Sequence, residues 1–141
     1  MDELPDWVKE FNAGDSSEKY LKTWNQLKGA YVESVADENP YESTFDGEES
    51  NAFPHEIGEL WSKNDGFDIL KDTPFGNSLT TDFAIEALKN ENLGTDAITD
   101  FLAIGFSSTD YVGHEYGVNS KEVQDTYLRL DQDIERLLNV L

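Results

Sequence analysis

The feature that most limits how this chain can fold is the run FLAIGF at residues 101–106, which is apolar throughout and stops abruptly at SSTDYVGHEYG. A half-buried strand alternates apolar and polar residues, whereas a strand covered on both faces reads as an unbroken apolar run. The run therefore predicts a strand inside a parallel sheet, with helices on either side. It is followed by NSKEVQDTYLRLDQDIERLLNVL, where Val123, Tyr127, Leu130, Ile134, Leu137 and Leu141 recur at alternating steps of four and three. That spacing predicts an amphipathic helix, and Asn119 with Glu122 three residues on predicts a capping-box variant at its start. Ahead of the run, NSLTTDFAIEALKNENLG spaces Leu79, Phe83 and Ala87 by four, with Leu88 widening the face. Asn77 or Ser78 is placed to cap that helix and Gly94 to end it. Residues 77–141 thus read as helix, buried strand, polar loop and helix, half of a doubly wound α/β layer arrangement.

The first half is aromatic and polar by turns. ELPDWVKEFNAG carries Trp7, Val8 and Phe11 at helical spacing between an early proline and Gly14, which predicts a short helix. SSEKYLKTWNQLKG predicts a second, with Tyr20, Leu21, Trp24 and Leu27 on one face, a serine at its start and Gly29 at its end. AYVESV is short and β-prone. Residues 36–52 are rich in Asp, Glu, Asn, Ser and Gly and predict a solvated acidic loop. That loop lacks the alternating oxygen ligands and fixed glycine of an EF-hand. KNDGFD reads as a turn. Trp7, Trp24 and Trp61 could form a stacking surface, but Trp7 and Trp24 fall on apolar faces and are expected to pack. His55, after Pro54 and between Phe53 and Ile57, is expected to be a hydrogen-bonded structural residue.

Composition narrows the function. Thirty acidic residues against ten basic ones give a net charge of −20. Nucleic-acid binding wants a basic stripe to neutralise phosphates, and an anionic membrane surface asks for the same. An anionic substrate would need local positive charge, most simply a metal ion. The absence of cysteine rules out disulfides, thiolate nucleophiles and cysteine zinc sites. No stretch approaches the ~20 apolar residues of a transmembrane helix, and MDELPDWVKE lacks the basic start and apolar run of a signal peptide.

In open α/β sheets, ligands sit beyond the carboxyl ends of the strands, which is where SSTDYVGHEYG would lie. Asp110 and His114 are four residues apart in it, with Gly113 expected to let the backbone turn tightly between them and Gly117 to release the chain. A carboxylate oxygen and an imidazole nitrogen from one tight loop suit zinc, which accepts both at about 2.0–2.2 Å. Catalytic zinc takes about three protein ligands; this loop offers two, and nothing in the sequence places the other histidine, His55, beside them.

The stretch DFLAIGFSSTDYVGHEYGVNSKEVQDTYLRLDQDIERLL closely resembles the PafA-like alkaline phosphatases, of the type I phosphodiesterase/nucleotide pyrophosphatase branch of the alkaline phosphatase superfamily. TPFGNSLTTDFAIEALKNENLG, ELPDWVKEFN and FPHEIG resemble the same family, so the likeness spans most of the chain and is most specific over 101–133. The resemblance implies a partial, helix-rich, layered α/β/α domain with few strands. Residues 1–72 would be a helical and loop insertion-like segment, and 73–141 a piece of the phosphatase core.

The function implied is hydrolysis of phosphate esters by a two-zinc enzyme that passes through a phosphoryl-enzyme. One zinc would activate a threonine or serine nucleophile, and the other would bind the leaving group and then activate water. Asp110 and His114 match the family's aspartate and histidine ligands of one zinc. Nothing here matches the family's nucleophile motif or its further ligands. Ser107, Ser108 and Thr109 adjoin Asp110 but have no evident base, and are expected to shape the loop by hydrogen bonds. An internal fragment of a periplasmic or secreted enzyme explains the missing sheet partners, signal peptide and ligands together. The implied partners are a phosphate-ester substrate and the rest of the phosphatase chain, with neither nucleic acid nor membrane. The alternative is a non-catalytic acidic binding module that uses its aromatic first half.

Overall fold

Two long helices frame the second half of the chain, and the first half wraps around them. A computed structural model describes residues 3–28 and 36–141. In chain order its elements are α1 (Asp6–Ala13), a 3-10 turn (Glu18–Tyr20), β1 (Thr23–Trp24), β2 (His55–Glu56), α2 (Ile57–Leu60), 3-10 segments Trp61–Lys63 and Gly66–Asp72, α3 (Pro74–Asn90), α4 (Ser108–Tyr116) and α5 (Lys121–Leu138). β1 and β2 form a two-stranded antiparallel ladder, with Thr23 opposite Glu56 and Trp24 opposite His55. The architecture is helix-rich with few strands, as expected. α1 lies where the sequence puts it, residues 36–52 carry no helix or strand, and AYVESV falls outside the described residues.

The second predicted helix, SSEKYLKTWNQLKG, does not form: its residues give the Glu18–Tyr20 turn and then β1, while Gly29 lies outside the described residues. Burial explains the difference. Trp24 is fully buried, its Nε1 donates to Asp125 Oδ2 at 2.7 Å, and its ring meets Phe53 and Tyr116 edge-on. Tyr20 turns instead to α3, stacking near Phe75 and donating its hydroxyl to Asp82 at 2.8 Å. A large aromatic carries enough burial energy to override a weak helical preference.

α3 begins earlier than expected. Thr73 caps it, accepting the Phe75 N–H at 3.2 Å, and Pro74 occupies the first turn. The Thr-Pro pair supplies both the acceptor and a preset φ, so Asn77 and Ser78 lie inside the helix. Its inward face carries Phe75, Asn77, Thr81, Ala84 and Ile85, while Phe83 turns towards α1 and meets the rings of Trp7 and Phe11 at 5.1 Å. KNDGFD does turn, with Asp65 at φ 56°, and leads into a 3-10 segment.

α5 departs most from its pattern. Ser120 caps it, accepting the Val123 N–H at 3.1 Å, so Asn119 and Glu122 do not form a capping box. Glu122, Asp125, Thr126 and Asp133 are buried, whereas Tyr127, Ile134 and Leu141 of the apolar stripe are exposed. Two of the inward carboxylates have hydrogen-bond partners to hold them there. Asp125 also accepts from the Leu27 N–H and Arg129 Nε, and Asp133 from Ser78 Oγ and Arg136.

Residues 101–106 form no strand, and Phe101 and Leu102 are exposed. A strand exists only where a neighbour completes its ladder, and no described residue offers one.

Candidate functional site

SSTDYVGHEY folds not as a loop but as α4, and this is what brings Asp110 and His114 together. The Ser107 carbonyl accepts the Asp110 N–H at 3.0 Å and the Tyr111 N–H at 3.3 Å, starting the helix. Four residues of helix return a side chain to the same face. His114 Nε2 lies 3.4 Å from Asp110 Oδ2, with both side chains about three-quarters exposed. Gly113 therefore does not turn the chain; it sits within the helix, and a Cβ there would meet nothing within 4 Å. Gly117 does release it, with φ at 78°.

The chemistry of this pair fits half a zinc site. Two ligand atoms on one tetrahedral zinc, each about 2.0–2.1 Å away, stand roughly 3.3 Å apart, and the pair is already at that spacing. An oxygen with a nitrogen is a donor set that zinc accepts. The pair faces an open groove with Phe106, Thr109, Val118, Val123 and Tyr127 around it. Among the described residues, no group of three or more histidine or acidic side chains is assembled to hold a metal.

Beside the pair, the Thr109 hydroxyl and the Ser108 backbone help to build the helix start. The Ser108 N–H donates to Asn77 Oδ1 at 3.2 Å, and Thr109 Oγ1 accepts from Asn77 Nδ2 at 3.0 Å. Their neighbour is a neutral amide, which is not a base.

His55 is not brought to His114. It is fully buried, with Nδ1 2.8 Å from Glu48 Oε1 and Nε2 3.7 Å from Glu122 Oε1. It has the hydrogen-bonded structural role expected of it, but its surroundings were not foreseen. Part of the acidic segment is not solvated: Glu48 is nearly buried beside the ring nitrogen, and Glu42 Oε2 and Asp37 Oδ1 are also buried. Burial opposes a charge on His55, yet Glu122 and Glu48 outweigh it and raise the imidazole from 6.5 to about 9. Burial, with Glu122 and Asp37 nearby, raises Glu42 to about 7. The one sequence sign of this cluster is Glu122, a carboxylate beside Val123 at the start of a helix whose inward face was misjudged.

Comparison with known proteins places the chain. The type I phosphodiesterase / nucleotide pyrophosphatase family matches residues 3–141. The chain is 48% identical over 146 residues to a protein named calcium-transporting ATPase from Myroides odoratus. It is 47% identical over 144 residues to alkaline phosphatase PhoV of Synechococcus elongatus. Each match takes in 100% of this chain and 26% of the relative. The crystal structure of wild-type alkaline phosphatase PafA superposes with a TM-score of 0.91 at 39% identity, over 100% of this chain and 28% of that one. The chain thus spans about a quarter of the length of these relatives and is a helix-rich partial α/β domain sharing the PafA fold over these residues. Among the described residues no helix is long and apolar enough to cross a membrane.

Proposed function

Because this chain belongs to the type I phosphodiesterase / nucleotide pyrophosphatase family, we propose that it is part of a zinc-dependent phosphate-ester hydrolase of the alkaline phosphatase type, with Asp110 and His114 as ligands of one of two zinc ions. The observation that carries the reading is the 3.4 Å separation of an exposed carboxylate oxygen and imidazole nitrogen on one face of α4. The likeness to PhoV and PafA supports the substrate class. When bound, zinc supplies positive charge against phosphate oxygens and lowers the pKa of a bound oxygen nucleophile.

This chain's own part is to hold two ligand atoms at tetrahedral spacing on a rigid helix, exposed to one groove. The nucleophile that forms the phosphoryl-enzyme and the remaining ligands come from outside these residues. Residues 1–72 are an insertion-like segment and 73–141 a piece of the phosphatase core, and the whole protein works in the periplasm or outside the cell, away from nucleic acid and membrane.

The test uses the full-length product of the gene that carries these residues, with zinc content and aryl phosphate hydrolysis as readouts. His114→Ala and Asp110→Ala are expected to lose zinc and to cut kcat/KM about a hundredfold or more, beyond the loss typical of residues that only support a ligand. Full zinc occupancy and turnover in both variants would overturn the reading. The 141-residue chain alone is expected to show no turnover; activity there that disappears in His114→Ala would place the nucleophile within these residues.

A further inference from the structure

α4 has no side-chain cap of its own: Ser107 precedes it, but its hydroxyl accepts no hydrogen bond from the first turn. The opening N–H groups of a helix need acceptors from elsewhere. Here the acceptor comes from another helix. Asn77 of α3 is 1% exposed, and both ends of its amide are used on the start of α4. Oδ1 accepts the Ser108 N–H at 3.2 Å and Nδ2 donates to Thr109 Oγ1 at 3.0 Å. The preceding residue makes the approach possible. A Cβ on Gly76 would lie 2.2 Å from Ser108 Oγ and 2.7 Å from the Leu70 carbonyl oxygen. The bonded residues Ser108 and Thr109 immediately precede Asp110, and His114 follows one turn later on the same face.

We infer that Asn77 is a positioning residue for the Asp110–His114 pair: it caps α4 from α3 and thereby fixes where the carboxylate and imidazole stand relative to ligands from other parts of the protein. The inference rests on the zinc reading above. A buried amide bonded at both ends has one preferred orientation, so it sets both the depth and the direction of the first turn. Supporting groups of this kind hold ligands within the small tolerance that metal affinity demands.

The test again uses the full-length product, measuring zinc affinity by competition with a chromophoric chelator and thermal unfolding in the presence of a strong chelator. Asn77→Ala and Thr109→Val are each expected to weaken zinc binding about tenfold, the low end for residues that support ligands. The double variant should be little worse than either alone, because both cut the same link. Thr109→Ser keeps the hydroxyl and should restore near wild-type affinity. Ser78→Ala, on the same helix but bonded to Asp133 of α5, should lower the unfolding temperature without changing zinc affinity. If Asn77→Ala does not fold, Thr109→Val against Thr109→Ser decides the matter. Wild-type zinc affinity in folded Thr109→Val would overturn the positioning role while leaving the zinc reading intact. Wild-type zinc affinity in both His114→Ala and Asp110→Ala would overturn the zinc reading, and the role of Asn77 with it.

Discussion

His55 shows how strongly a few neighbours can decide a single group. Burial alone favours the neutral ring, but Glu122 from α5 and Glu48 from the acidic segment keep the proton on it, to about 9. The unfolded ring releases its proton near 6.5. Its contribution to stability is therefore complete below pH 6.5 and is lost as the pH rises through about 9. Glu42 acts in the same direction at lower pH. Raised from 4.5 to about 7, it favours folding while protonated and loses that contribution as the pH climbs through about 7. The melting temperature is expected to fall between pH 6.5 and 9, and His55→Gln should flatten that part of the curve; a profile that rises over this range would contradict it. Asp125 invites a second test. It is fully buried and accepts from Trp24, the Leu27 N–H and Arg129. Asp125→Ala strands those donors and should cost about 3 kcal/mol in urea unfolding, whereas a loss under ~1 kcal/mol would mean that water replaces the carboxylate.

Among the elements, α4 shows how a helix depends on its neighbours. It is nine residues long, and a helix that short is marginal on its own. Val112 and Tyr116 bury one side of it, and Gly76 and Asn77 seat its start. Gly76→Ala should displace that seat and cost about 1–3 kcal/mol, as overpacking generally does; the clash includes a backbone carbonyl, which cannot rotate away. Thermal unfolding would check this, and an unchanged midpoint would show that α4 slides without loss. α5 is held differently. Arg136 bonds Asp82 and Asp133, and Ser78 bonds Asp133, so charged links between α3 and α5 stand where an apolar seam was expected. A stripe at helical spacing identifies a helix, but which side faces inward depends on what lies against it.

At the scale of the whole molecule, apolar surface remains uncovered. Phe101 is 91% exposed and Leu141 80%, with Ile98 and Leu138 also largely exposed. Where such groups adjoin they offer a surface for association, which a net charge of −20 opposes by repulsion between copies. The isolated chain should associate as salt screens that charge. Sedimentation velocity at rising sodium chloride would show it, and Phe101→Asp with Leu141→Asp should restore the monomer. A monomer at every salt concentration would mean that the surface is too scattered to bind itself.

Local chemistry was enough to determine much of this protein. That helices exist at 6–13, 74–90 and 121–138 was legible in the chain, because an amphipathic period depends on residues a few positions away, although the caps of the last two were placed on the wrong residues. The Asp110–His114 pairing was legible as a spacing of four, although it was read as a loop rather than a helix. Folding in three dimensions decided what depends on distant partners. It drew Trp24 into a strand against His55, turned the carboxylates of α5 inward and left FLAIGF without a ladder. It also set Asn77 beneath the start of α4, across 31 residues of sequence. Burial and hydrogen-bond satisfaction are properties of surroundings, and no short stretch of sequence contains its own.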